Sequence, residues 1–152
     1  MKLHVERGAA GSAVRVRTRS SLLAPRILRV TPTSARVALV ATTALLLAGD
    51  EAELDIVVGD GAEAQAGGVV EVHYVGVEYE SNQEFDSSWD RGQSIEFPLT
   101  GLISGWQEGI PGMRVGGRRQ LTIPPELAYG PAGGGHPLSG RTLVFVIDLI
   151  NA

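Results

Sequence analysis

The chain has 152 residues, a net charge of −4 and no cysteine, a length that suits one domain with tails. The missing thiols exclude disulfides, thiolate metal sites and thiol catalysis, and His4, His73 and His136 make no metal-ligand spacing. Charge is unevenly spread: residues 1–48 hold eight of the 13 Lys and Arg against the single acid Glu6, so the remainder carries 16 of the 17 acids and no lysine. Such an acidic body has little with which to displace the counterions of a phosphate backbone, which excludes nucleic acid as a partner.

Residues 1–50 read as a basic N-terminal extension, disordered apart from one signal-like segment, 37–48. That segment, V-A-L-V-A-T-T-A-L-L-L-A, is a twelve-residue apolar run directly after Arg36. It is shorter than the roughly 20 residues a bilayer span needs, and suits the core of a signal peptide. The Arg-rich stretch ahead of it is long for a signal, and Leu47-Ala48-Gly49 lacks a small residue at its first position. Asp50 stands where a bacterial lipoprotein would need cysteine, so lipid anchoring by that route is excluded. An export signal, a signal anchor and a non-structural extension from a start codon placed too early remain open. The location inclines to cytoplasmic, with export or membrane anchoring through 37–48 as the alternative.

Residues 51–152 form the domain, and all eight aromatics lie in it, between Tyr74 and Phe145. Leu54, Ile56 and Val58 alternate with Asp55 and Val57, and Gly59-Asp60-Gly61 turns the chain. Residues 69–79 predict a longer strand whose apolar phase shifts: Val70, Val72 and Tyr74 share one face, Val75, Val77 and Tyr79 the other. A bulge near Gly76 or burial of both faces would account for the shift. Glu80 to Gln83 is polar enough for a hairpin loop, and Ile95, Phe97 and Leu99 form another alternating strand. Ile103, Trp106 and Ile110, spaced three and four apart, share one face of a helix of about two turns. Gly105 and Gly109 lie inside it and Pro111-Gly112 stops it, so propensity alone would not make this helix and something must pack over its apolar face. Beyond it Arg119, Leu121 and Ile123 face one way and Arg118, Gln120 and Thr122 the other, until Pro124-Pro125 ends the strand. Residues 130–140 predict a flexible loop. The last strand, Thr142 to Ile150, is apolar on both faces and therefore central. Many strands, one short helix and short connections give an α+β fold, an antiparallel sheet curled over one helix.

Reactive groups are few. Ser87-Ser88 has no nearby histidine in a nucleophile arrangement, Gly116-Gly117 belongs to no phosphate loop, and no pair of acids stands out for acid–base work. What remains is a set of aromatics, Tyr74, Phe85, Phe97, Trp106, Tyr129 and Phe145, which alone could be nothing more than a core.

Five segments occurring in one order carry more. V-H-Y-V-G, E-F-D-S-S-W-D-R-G, G-W-Q-E-G-I-P-G-M-R-V-G-G-R-R, L-T-I-P-P-E-L-A-Y-G and T-L-V-F-V-I-D-L-I closely resemble the FKBP-type peptidyl-prolyl cis–trans isomerases of single-domain bacterial type. The match runs from Leu54 to Ile150 and covers none of the head. The resemblance implies an antiparallel sheet around a short helix with an apolar pocket between them. It places Trp106 as the pocket floor under a substrate proline ring. Tyr74, Phe85, Phe97, Ile103, Tyr129 and Phe145 become walls, with Leu102 beside them. The Tyr129 hydroxyl and the Ile103 backbone N–H are implied donors to ligand carbonyls. Asp86 is implied at the rim, tied to Tyr74 and Arg91, and a plain loop-capping role is compatible with that. Tyr74, Asp86, Trp106 and Tyr129 are thus the implied catalytic set, and Phe85, Arg91, Phe97, Leu102, Ile103 and Phe145 the substrate-binding one.

Two departures from the family pattern stand out. Ile95 replaces a frequent aromatic, and the segment 133–138, G-G-G-H-P-L, replaces a flap of two isoleucines and two prolines. Tight macrolide binding should suffer from this more than catalysis, and His136 is expected to be a solvent-exposed loop residue. The implied activity is rotation about X-Pro bonds without covalent intermediate, cofactor or metal, assisting protein folding. Its implied partners are proline-containing peptides, unfolded chains and macrolides, and a monomer is expected. The alternative is a proline-peptide or macrolide binding module with incidental isomerase activity.

Overall fold

The structure, a computed structural model, describes residues 15–18 and 52–152; the apolar run 37–48 lies outside them. Seven antiparallel strands follow in the order β1 (Arg15–Thr18), β2 (Ala52–Val57), β3 (Val69–Glu78), β4 (Glu84–Ser87), β5 (Ile95–Pro98), β6 (Arg118–Ile123) and β7 (Leu143–Asn151). Between β5 and β6 comes one helix, α1 (Ser104–Gly109). The sheet runs β1-β2-β6-β7-β3-β4, with β5 paired to the first half of β3. The expected fold class therefore stands, and the sheet gains an edge strand from Arg15–Thr18, in register with β2.

The central place of β7 follows from its two apolar faces. Leu143, Phe145, Ile147 and Leu149 join the main core with Val70, Val72, Leu121, Ile123 and Ile110. Val144 and Val146 face the other way, with Val75, Val77 and Ile56. Burying one such side chain fully is worth about 1.5–3 kcal/mol, so both faces favour an interior position.

β3 resolves the expected phase shift. Its alternation never breaks: Gly76 continues the Val70, Val72, Tyr74 face, and a Cβ there would lie 2.6 Å from Phe85 Cζ and 2.8 Å from Phe145 Cε1. The glycine vacates the space that two aromatic rings fill. There is a register shift beside it, but Gly76 pairs with Asp86 and Val77 with Glu84, so the extra residue is Phe85 on β4. In β2 the expected row Leu54, Ile56, Val58 breaks. A register shift falls between Asp55 and Val57, both Val57 and Val58 are exposed, and Asp55 is buried. A partner on another strand decides this: Asp55 receives the Arg119 Nε–H at 2.5 Å.

α1 is a single six-residue piece with no side-chain cap at its start. Packing holds it instead of propensity. A Cβ on Gly105 would stand 2.5 Å from Ile123 Cγ2, so only glycine lets the helix backbone lie this close to β6. Trp106 and Ile110 are buried beneath it as the spacing requires, and Ile103 is half-buried just ahead of its first turn.

Candidate active site

Three elements bring the aromatics together. β3 supplies Tyr74, β7 supplies Phe145 and α1 supplies Trp106, all buried. Trp106 is the hub: Tyr74 and Phe145 each meet it edge-on at 5.2 Å between ring centroids, and Phe97 from β5 does so at 5.9 Å. Phe85, carried inward by the β4 bulge, stands edge-on to Phe145 at 5.6 Å. Such edge-to-face pairs add about 0.5–1.5 kcal/mol each beyond burial. Phe85, Phe97, Leu102, Ile103 and Tyr129 are half-buried and pack around the buried rings. The Trp106 indole N–H has no hydrogen-bond partner.

A polar cluster borders the nest. The Tyr74 hydroxyl donates to Asp86 Oδ2 at 2.5 Å, while Arg91 donates to Asp86 Oδ1 at 2.5 Å and to the Tyr74 hydroxyl at 3.0 Å. Burial pushes the Asp86 carboxyl up, but the bonds from Tyr74 and Arg91 more than offset this and hold it below the usual carboxylate range. The Tyr74 phenol is raised by burial and by its bond to Asp86, against a smaller opposing effect of Arg91. The Tyr129 phenol is raised by burial and, to a lesser degree, by the Asp86 charge. Behind Tyr74, Ser88 fixes the strand: its Oγ accepts the Tyr74 N–H at 2.7 Å, and its own N–H donates to the Tyr74 carbonyl at 2.9 Å.

Two contributors were not legible in the sequence. Leu138 packs against the core from the 130–140 loop. His136 is exposed, as expected, yet its ring lies flat on Tyr129 with centroids 3.9 Å apart and 5° between planes. The loop itself folds back in turns, with Ser139 Oγ donating to the Tyr129 carbonyl at 2.9 Å. A run of glycine around one histidine carries no periodic signal for such contacts. No group of three or more His, Cys, Asp or Glu among the described residues could hold a metal.

An antiparallel sheet folded over a single short helix, with a nest of aromatics between them, defines a class of α+β domain. Comparison with known proteins makes the class specific. The family described as "FKBP-type peptidyl-prolyl cis-trans isomerase" matches residues 61–150. A probable FK506-binding protein of Corynebacterium glutamicum is 79% identical over 98 residues, 64% of this chain and 83% of that one. The FK506-binding protein of Streptomyces anulatus is 54% identical over 105 residues, covering 66% and 85%. The crystal structure of AtFKBP13 superposes with a TM-score of 0.58 at 42% identity, covering 67% of this chain and 93% of that one. The chain belongs to the FKBP-type peptidyl-prolyl cis–trans isomerase family, whose substrates are proline-containing peptides and whose ligands are of FK506 type.

Proposed function

We propose that the aromatic nest is the isomerase site and that it works by desolvation and shape. Rotation about an X-Pro bond faces a barrier of ~18–20 kcal/mol because the planar amide must lose its resonance. The twisted amide has less charge separation than the planar one, so a water-poor aromatic pocket favours it. Lowering the barrier by about 8 kcal/mol would speed the reaction ~10⁶-fold, the modest end of enzymatic acceleration. Trp106 forms the floor under the prolyl ring, and Tyr74, Phe85, Phe97, Leu102, Ile103 and Phe145 form the walls. The Tyr129 hydroxyl and the Ile103 N–H donate to substrate carbonyls. Asp86 and Arg91 hold Tyr74 in place at the rim.

The observation that carries this is the edge-on convergence of Tyr74, Phe97 and Phe145 on the buried Trp106, with the half-buried Phe85, Leu102, Ile103 and Tyr129 packed against the same core. Unfolded proteins with X-Pro bonds are the natural substrates of such a site, and the protein acts as a monomer. Residues 52–152 offer nucleic acid little to bind: they hold no lysine, and of their five arginines Arg91, Arg114, Arg118 and Arg119 are each paired with a carboxylate.

Tyr129→Phe is the cleanest test, since it deletes one hydroxyl and keeps the ring on which His136 lies. Its melting temperature should stay near that of the parent, while kcat/KM on an X-Pro peptide falls several-fold, as the loss of about 1 kcal/mol from one hydrogen bond implies. An unchanged rate would remove Tyr129 from the site.

A further inference from the structure

β6 grips α1 from one face of one strand. Near the helix start Ile123 fills the space that Gly105 leaves. At the helix end Arg119 donates from Nη1 to the Gly109 carbonyl at 2.7 Å and from Nε to Asp55 Oδ1 at 2.5 Å, with Glu53 Oε2 3.7 Å from the same Nη1. The Arg119 side chain is only 2% exposed.

Stability is a poor reason for a cation at this depth. Desolvating a buried ion pair commonly costs as much as the pairing returns, and replacing the pair by apolar residues of similar size is often neutral or stabilising. What the pair supplies is direction. α1 has no basic residue in its last turn, no side-chain cap at its start and two glycines among six residues, and its last turn is closed by a backbone bond from the Ile110 N–H to the Trp106 carbonyl at 3.1 Å, which leaves its direction to be set by contacts with other elements. The planar guanidinium can serve two acceptors at fixed angles, which an ammonium cannot. Gly109 is three residues beyond Trp106, one turn along the same helix.

We infer that Arg119, oriented by Asp55, is a positioning residue for the isomerase reaction: by fixing the Gly109 carbonyl it sets the height and tilt of the Trp106 floor. This rests on the floor role proposed for Trp106. Neither Arg119 nor Asp55 belongs to the aromatic nest, so both act through the helix and not on substrate.

The test is the double variant Asp55→Leu/Arg119→Met in the full chain, which removes both charges of the clamp together and leaves the partly exposed Glu53 without its Arg119 contact. Cooperative unfolding near the parent temperature is expected, together with a shifted Trp106 indole N–H resonance in the NMR spectrum. kcat/KM on an X-Pro peptide should fall about 10- to 100-fold, the scale of an ångström-size misplacement. A folded double variant with the parent's rate would overturn the inference. Should that variant not fold, Arg119→Lys decides, since it keeps the charge beside Asp55 and gives up the second prong: the same fall supports the clamp, and full activity overturns it. Trp106→Leu measured alongside separates the two levels. A Trp106→Leu variant as active as the parent would remove the floor itself, whereas a loss there beside a fully active double variant would remove only the role of Arg119.

Discussion

Tyr74 commits its hydroxyl to Asp86 and its ring edge to Trp106, so one residue joins the polar rim to the apolar floor. The Asp86 carboxyl is held below its ordinary value, and a group so depressed adds stability that is present above its unfolded pKa and lost as pH falls through its folded one. Asp86→Asn should therefore lower the melting temperature at pH 7, and the gap to the parent should close below about pH 4. A gap that stayed undiminished as the parent's carboxyl was titrated would mean that the lost charge is not what destabilises the variant. The motif V-H-Y-V-G made Tyr74 legible as a member of the aromatic nest. Gly76, two positions on, was not legible as one, because a missing side chain has no hydrophobic phase. Only the Phe85 and Phe145 rings above it show why glycine is required.

Among the elements, β3, β7 and α1 were readable from their apolar residues: α1 from three- and four-residue spacing, β7 from a run apolar on both faces, and β3 from an alternation whose apparent phase shift left a bulge or two-faced burial open. The bulge that carries Phe85 inward and the inward turn of Asp55 were not, because each depends on a residue of another strand. The 130–140 loop falls between these cases. Its irregularity was plain, yet the stacking of His136 on Tyr129 is a tertiary contact without a local code. Gly133 and Gly135 both sit at positive φ, 86° and 87°, and drawing such a segment down over a large ligand means ordering backbone at ~1–2 kcal/mol per residue. FK506 should accordingly bind more weakly here than to family members with the isoleucine and proline flap. Calorimetric affinities that match theirs would show that the loop is already set for the ligand.

At the scale of the whole molecule, we propose that 51–152 is the autonomous isomerase domain. Every aromatic residue lies within it, and the core strands β3, β6 and β7 pair among themselves. Removing residues 1–50 takes away β1, which pairs only with the edge of β2. The shortened protein should fold cooperatively and keep its turnover, with a small loss in melting temperature. Loss of the fold or of activity would place part of the extension inside the functional unit.

If desolvation and neutral donors drive the rotation, as proposed, the rate carries no catalytic titration between the carboxylate and phenol ranges. General acid–base catalysis leaves its pKa values in the profile as a bell. Among the proposed site residues that titrate near this range, Tyr74 and Tyr129 are raised above the usual tyrosine value of about 10, and Asp86 is held below the usual aspartate value of about 3.9. Both phenols thus stay protonated and the carboxylate stays charged across roughly pH 5.5 to 9. Histidine is the side chain that changes charge in that window; His136 touches Tyr129 and His73 Nδ1 lies 3.0 Å from the Ser88 Oγ that accepts the Tyr74 N–H, so the double variant His73→Ala/His136→Ala is measured beside the parent. On an uncharged X-Pro peptide, kcat/KM should be flat from about pH 5.5 to 9 in the variant. A bell centred near neutrality that survives in the double variant would reveal a titrating catalytic group and contradict the desolvation mechanism.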